Sequence, residues 1–102
     1  MAVVEYRSFR EFYPFYLSEH SRSGTRCLHF AGTLLVVLTL VYAVVTQRWG
    51  YLGLVPLFGY GFAWVGHFAV EKNRPATFQY PLYSLAGDFR MFADMVRGRV
   101  SF

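Results

Sequence analysis

Two uncharged apolar runs, separated by a very short connection, constrain this chain more than any other feature. CLHFAGTLLVVLTLVYAVVT occupies residues 27–46, which matches the roughly 20 residues needed to cross the hydrocarbon layer of a bilayer. GYLGLVPLFGYGFAWVGHFAV occupies residues 50–70 and carries Pro56 and glycines at 50, 53, 59, 61 and 66, which membrane helices tolerate when neighbours satisfy the freed backbone groups. The QRWG connection makes the pair antiparallel. The expected fold is therefore all-α: an integral-membrane helical hairpin of two transmembrane helices, about 27–46 and 50–70, within a single membrane domain spanning 1–102. Composition agrees, because 55% of the residues are hydrophobic and only 16% charged, where about 25% is usual. A soluble domain of 102 residues has too much surface for its volume to hide that apolar load.

The flanks complete the layout. SFREFYPFYLSEHS begins with Ser8 and Glu11 at capping-box spacing, so an amphipathic helix is expected over about 9–20, bent or restarted at Pro14 for want of an amide donor. SRSGT reads as a turn, with Thr25 an N-cap for the first span. NRPATFQYP, with two prolines, should be irregular over 73–81. From Leu82 onward, Leu85, Phe89, Phe92 and Val96 recur at helical spacing with Arg90, Asp94 and Arg97 on another face, predicting an amphipathic helix over about 82–97 that lies in the interface or against the hairpin. Arg7, Arg10, Arg22 and Arg26 precede the first span, Lys72, Arg74, Arg90, Arg97 and Arg99 follow the second, and only Arg48 sits in the connection. The positive-inside rule then places both termini in the cytoplasm. No signal peptide is expected at the start, which lacks a basic stretch followed by an apolar one and a cleavage site. The net charge of +4 comes without any nucleic-acid-binding pattern and suits anionic lipid headgroups instead. A single cysteine, Cys27, excludes an internal disulfide framework and a CxxC site.

The histidines carry the chemistry. Measured from the middle of the connection, His29 lies about 19.5 positions before it and His67 about 18.5 after it, so two straight antiparallel helices set them at nearly the same depth. His20 precedes the turn into the first span and can return to that same end. Glu71 follows His67 by four residues, on the same helical face if the helix persists, and Glu19 adjoins His20. Gly59 and Ala63 continue that face backwards and Gly32 lies one turn beyond His29; small residues at such spacing let helices approach closely. Two or three neutral imidazoles with one carboxylate suit divalent iron and leave open positions for substrate and dioxygen; zinc would accept the same donors. The plainer readings are histidines as hydrogen-bonding groups at an interface and Glu71 as a partner of Arg74 or Arg26.

FYPFYLSEHSRSGTRCLHFAGT and GYGFAWVGHFAVEKNRPATFQYPLYSLAGDFRMF resemble the membrane family typified by the yeast 2-hydroxy fatty acid dioxygenase of phytosphingosine breakdown. The similarity runs from about Phe12 to Phe92. It implies an Fe(II)-dependent alpha-oxidation in which a 2-hydroxy fatty acid and dioxygen give a fatty acid one carbon shorter. Carried over residue by residue, it implies His20, His29 and His67 as catalytic metal ligands, with Glu71 matching the family's acidic residue. Arg26, Arg74 and Asn73 are expected to contact substrate, with Asn73 and Gln79 also placed to orient ligands. Nine arginines against one lysine point to a bacterial inner membrane more than to the endoplasmic reticulum. The alternatives are a non-catalytic membrane protein that forms homo-oligomers through its glycine-rich second span, with structural histidines, and a metal-dependent membrane hydrolase.

Overall fold

The computed structural model describes residues 5–75 and 78–102; of the expected irregular segment, 76 and 77 lie outside the described residues. The described chain is all-helical, without strands, and has two helices long and apolar enough to cross a membrane. Helix α1 spans Phe9–Ser18, α2 Ser23–Thr46, α3 Leu54–Val65 and α4 Pro81–Val96. A 3₁₀ stretch, Trp49–Gly53, leads into α3, and a π-helical stretch, Gly66–Glu71, extends it.

Helix α1 starts as a capped helix should: Ser8 Oγ accepts from the Glu11 amide at 3.2 Å, while Glu11 Oε2 accepts from the Arg7 amide at 3.0 Å, one residue earlier than a strict capping box. The helix runs through Pro14 without a break. Helix α2 begins two residues before Thr25, with Arg22 at the N-cap position and no side-chain cap of its own. At about 1.5 Å per residue its 24 residues extend about 36 Å, enough for a hydrocarbon layer of about 30 Å. Gln47, in the left-handed conformation at φ 56°, ends it.

The hairpin closes tightly because Gly32 has no side chain. A Cβ there would sit 2.7 Å from the Phe58 carbonyl oxygen and 2.8 Å from Phe62 Cβ, whereas one on Gly59 would meet Val36 Cγ2 at an ordinary 3.6 Å. Nearer the termini, Gly66 lies against Thr25, which is buried inside α2 rather than capping it. Helix α4 packs on both α1 and α2. Phe12 and Tyr16 of α1 meet Met91 and Met95 of α4 in the main buried cluster, and Phe30 stacks on Phe92 at 4.7 Å.

Helix α4 is turned differently from its apolar periodicity. Its buried face is Ser84, Gly87, Met91, Asp94 and Met95, small and polar as often as apolar. Leu82, Leu85, Phe89 and Val96 are exposed, Leu82 at 79%. The reason is the hydrogen bonding: Tyr13 donates to Asp94 Oδ2 at 2.7 Å, Arg90 Nε donates to the same oxygen at 3.1 Å, and Tyr16 donates to Asp88. Burial alone would raise the Asp94 carboxyl, but these donors and the Arg90 and Arg99 charges hold it below its usual value. Gly87 makes the fit possible, since a Cβ there would fall 2.8 Å from the Tyr16 ring.

Candidate metal centre

The three histidines meet at the end of the hairpin nearest the chain termini. His20 arrives from the turn after α1, His29 from the second turn of α2, and His67 from the π-helical stretch. Their ring centroids lie 4.8 Å apart for His20 and His29, 4.5 Å for His20 and His67, and 6.5 Å for His29 and His67. All three are buried. Tyr16, Ala63, Pro75, Ser84 and Asp88 line the same small pocket.

Each ring is oriented by a named partner. His20 Nδ1 lies 2.8 Å from the Tyr16 carbonyl; a carbonyl only accepts, so Nδ1 carries the proton and Nε2 the lone pair. That Nε2 is buried and has no hydrogen-bond partner among the described residues. Burial, then the neighbouring His29, pushes His20 well below the usual imidazole range, so the ring stays neutral. Asn73 Nδ2 donates to the Glu19 carbonyl at 3.1 Å and to Glu19 Oε2 at 2.6 Å. This fixes the Asn73 amide so that its oxygen, 2.8 Å from His67 Nδ1, accepts that proton. Lys72, left-handed at φ 61°, reverses the chain so that the Asn73 amide also donates to the His67 carbonyl at 2.9 Å. His29 Nε2 faces Asp88 Oδ1 at 3.0 Å and the Tyr16 hydroxyl at 3.2 Å, and Tyr16 donates to the same Asp88 oxygen at 2.6 Å. Burial, then the negative Asp88, raises the Tyr16 phenol well above its usual value and keeps it a donor.

The other expected site residues are placed elsewhere. Glu71 does not line the pocket. Its carboxylate accepts from Ser21 Oγ at 2.9 Å and from the Arg22 amide, supplying from across the fold the cap that α2 lacks, where a negative charge also suits the helix dipole. Arg26 donates to the carbonyls of His20, Ser21 and Ser101, tying the turn to the C-terminal tail. Arg74 is exposed and lies over the Phe78 ring at 5.3 Å; Gln79 is exposed as well. Asn73, also expected to orient ligands, bonds His67 and Glu19 through its side chain. Asp88, by contrast, is a carboxylate that the pattern of α4 conceals. A sequence signal existed only for Tyr16, four residues before His20 and so on its helical face.

Among the described residues, no three His, Cys, Asp or Glu side chains present their donor atoms as a finished coordination set. The rings are gathered, but His29 Nε2 is turned to Asp88. The donor chemistry nonetheless fits a divalent transition metal: three imidazoles, two with Nδ1–H fixed by an oxygen acceptor as metal-ligating histidines usually are, one carboxylate, and a buried His20 Nε2 without a partner among the described residues.

The fold and site define a helical hairpin with two helices apolar enough to span a membrane and a buried histidine cluster beside a partly exposed carboxylate. The chain belongs to the 2-hydroxy-palmitic acid dioxygenase Mpo1-like family, whose model matches residues 6–100. No curated protein and no solved structure matches it.

Proposed function

We propose that this protein is an integral-membrane, Fe(II)-dependent dioxygenase that shortens 2-hydroxy fatty acids by one carbon. The observation that carries this reading is the buried His20, His29 and His67 cluster beside the partly exposed Asp88, with a His20 Nε2 that has no partner among the described residues, in a chain of the 2-hydroxy-palmitic acid dioxygenase family. Alpha-oxidation balances with dioxygen as sole oxidant: R–CH(OH)–COOH and O₂ give R–COOH, CO₂ and water. Iron(II) held by the histidines would supply the dioxygen chemistry, with the open positions that a histidine and carboxylate set leaves.

The chain's own groups do the rest. Tyr16 and Asp88 hold the proton of His29. Asn73 keeps the His67 proton on Nδ1 and its lone pair on Nε2. Ser84, buried, with a hydroxyl that has no partner among the described residues, lines the pocket one helical turn before Asp88 and is available to a substrate hydroxyl or carboxylate. Burial around the rings excludes bulk water.

Membrane insertion is supported by the two spans, of whose most apolar windows only 28% and 11% is buried inside the protein. The core helix of a soluble protein would be covered. Nine of the ten basic residues lie outside the connection, which favours cytoplasmic termini, and the arginine bias favours a bacterial inner membrane. The test is metal content and oxygen consumption of the detergent-solubilised protein after anaerobic Fe(II) loading, with 2-hydroxypalmitic acid. Near-stoichiometric iron and turnover are expected, both lost in His67→Ala; full activity in that variant would overturn the assignment.

A further inference from the structure

The histidine pocket is small, with room for little more than a water molecule or an ion, so most of any organic substrate must lie beyond it. A second cavity, of about 280 Å³, adjoins it and shares Gly59, Tyr60 and Asp88 with it. Apart from Thr33 and Asp88 near the histidine end, it is walled by Val36, Leu40, Val55, Leu85 and Phe89. From Thr33 to Leu40 it follows α2 for about 10 Å towards the hairpin loop. Leu40, Tyr60, Leu85 and Phe89 are exposed on its rims, so the groove opens at the surface that the spans present to lipid.

We propose that this groove holds the part of the substrate's acyl tail nearest the polar head, and that the remainder leaves past Leu40 and Val55 into the lipid that the spans face. The inference rests on the dioxygenase reading for the polar end and on the groove itself for the tail. One end is polar and touches the metal pocket, while the other is apolar and lies at membrane depth, the same polarity order as a 2-hydroxy fatty acid. Gly59 lines both cavities where they adjoin. An alanine there makes ordinary contact with Val36; a leucine fills the opening. The tail thus reaches the site sideways from the bilayer without passing through water.

The test uses the full-length, solubilised protein and a 2-hydroxy fatty acid carrying a mid-chain diazirine. Photolabel should map to Val36, Leu40, Leu85 or Phe89, be displaced by 2-hydroxypalmitic acid, and fall at least tenfold in Gly59→Leu but not in Gly59→Ala, with metal content equal in all three. Should Gly59→Leu not fold, Leu40→Trp, which narrows that exit, decides: its turnover optimum moves to shorter chains, and an unchanged chain-length profile overturns the proposal. Label on the lipid-facing residues Leu57 and Val65 instead, alongside normal turnover, refutes the groove and leaves the dioxygenase reading standing. Label in the groove, displaced equally by plain fatty acid and with no turnover, supports an acyl site and refutes the dioxygenase.

Discussion

Asn73→Ala tests how the site is held open for a metal. The substitution removes three side-chain hydrogen bonds: one accepted from His67 Nδ1 at 2.8 Å and two donated to Glu19, at 3.1 and 2.6 Å. Neutral bonds contribute about 1 kcal/mol each. The charged one to the Glu19 carboxylate contributes little more, because both residues are half-buried and water recovers most of it. Fold stability should drop by about 2–3 kcal/mol. Metal affinity should fall separately, by about 10–100-fold, the usual cost of removing a group that orients a ligating histidine. That corresponds to about 1.4–2.7 kcal/mol. Competition titration with a chelator reads the affinity, and thermal unfolding of the metal-free protein reads the stability. Nitrogen NMR of the imidazole reads the cause: His67 should carry its proton on Nδ1 in the wild type and distribute it in the variant. Wild-type affinity together with reduced stability would refute the orienting role and leave Asn73 as a simple tie between α3 and the Glu19 turn.

The hairpin crossing makes an opposed pair. Gly32→Ala must push back the Phe58 carbonyl 2.7 Å away, an overpacking cost of about 1–3 kcal/mol, offset by about 1 kcal/mol of helix propensity. Gly61→Ala meets nothing within 4 Å and should stabilise by up to about 1 kcal/mol; equal unfolding temperatures in detergent would contradict both signs. The metal-free protein should also lose stability in mild acid. His20 stays neutral in the fold but takes a proton near pH 6.5 when unfolded, so its contribution is complete above that pH and is lost at up to about 1.4 kcal/mol per unit below it. The depressed Asp94 carboxyl acts only below its ordinary 3.8, so a flat stability profile between pH 4.5 and 7.5 would contradict the buried neutral His20.

The meeting of His29 and His67 was legible because depth in an antiparallel hairpin is arithmetic: a fixed rise per residue and a short connection suffice. His20 followed from where the preceding turn had to return. Direction around a helix was harder. Glu71 lies at the expected level, yet its carboxylate is taken by the Ser21 and Arg22 turn, a partner that spacing cannot name. Asp88 was hidden for a deeper reason. Hydrophobic periodicity finds the face a helix turns away from water, and in α4 that face points outward, while the inward face is chosen by Tyr13 and Tyr16 donating to Asp94 and Asp88. Long-range hydrogen bonds of this kind leave no period in the sequence.

On the proposed function, that inverted helix would make the surrounding lipid part of the catalytic apparatus. Leu82, Leu85, Phe89 and Val96 hold α4 from outside, and Asp88 sits on the flank of the same rod, sharing a groove wall with Leu85 and Phe89. On the proposed placement, whatever solvates those four side chains sets the pitch and roll at which the carboxylate meets His29. Bilayer thickness, acyl-chain order and the choice of solubilising agent thereby become tuning variables of the active site, as a cofactor would be, and preparations with identical sequence and metal content would differ in turnover according to what surrounds them.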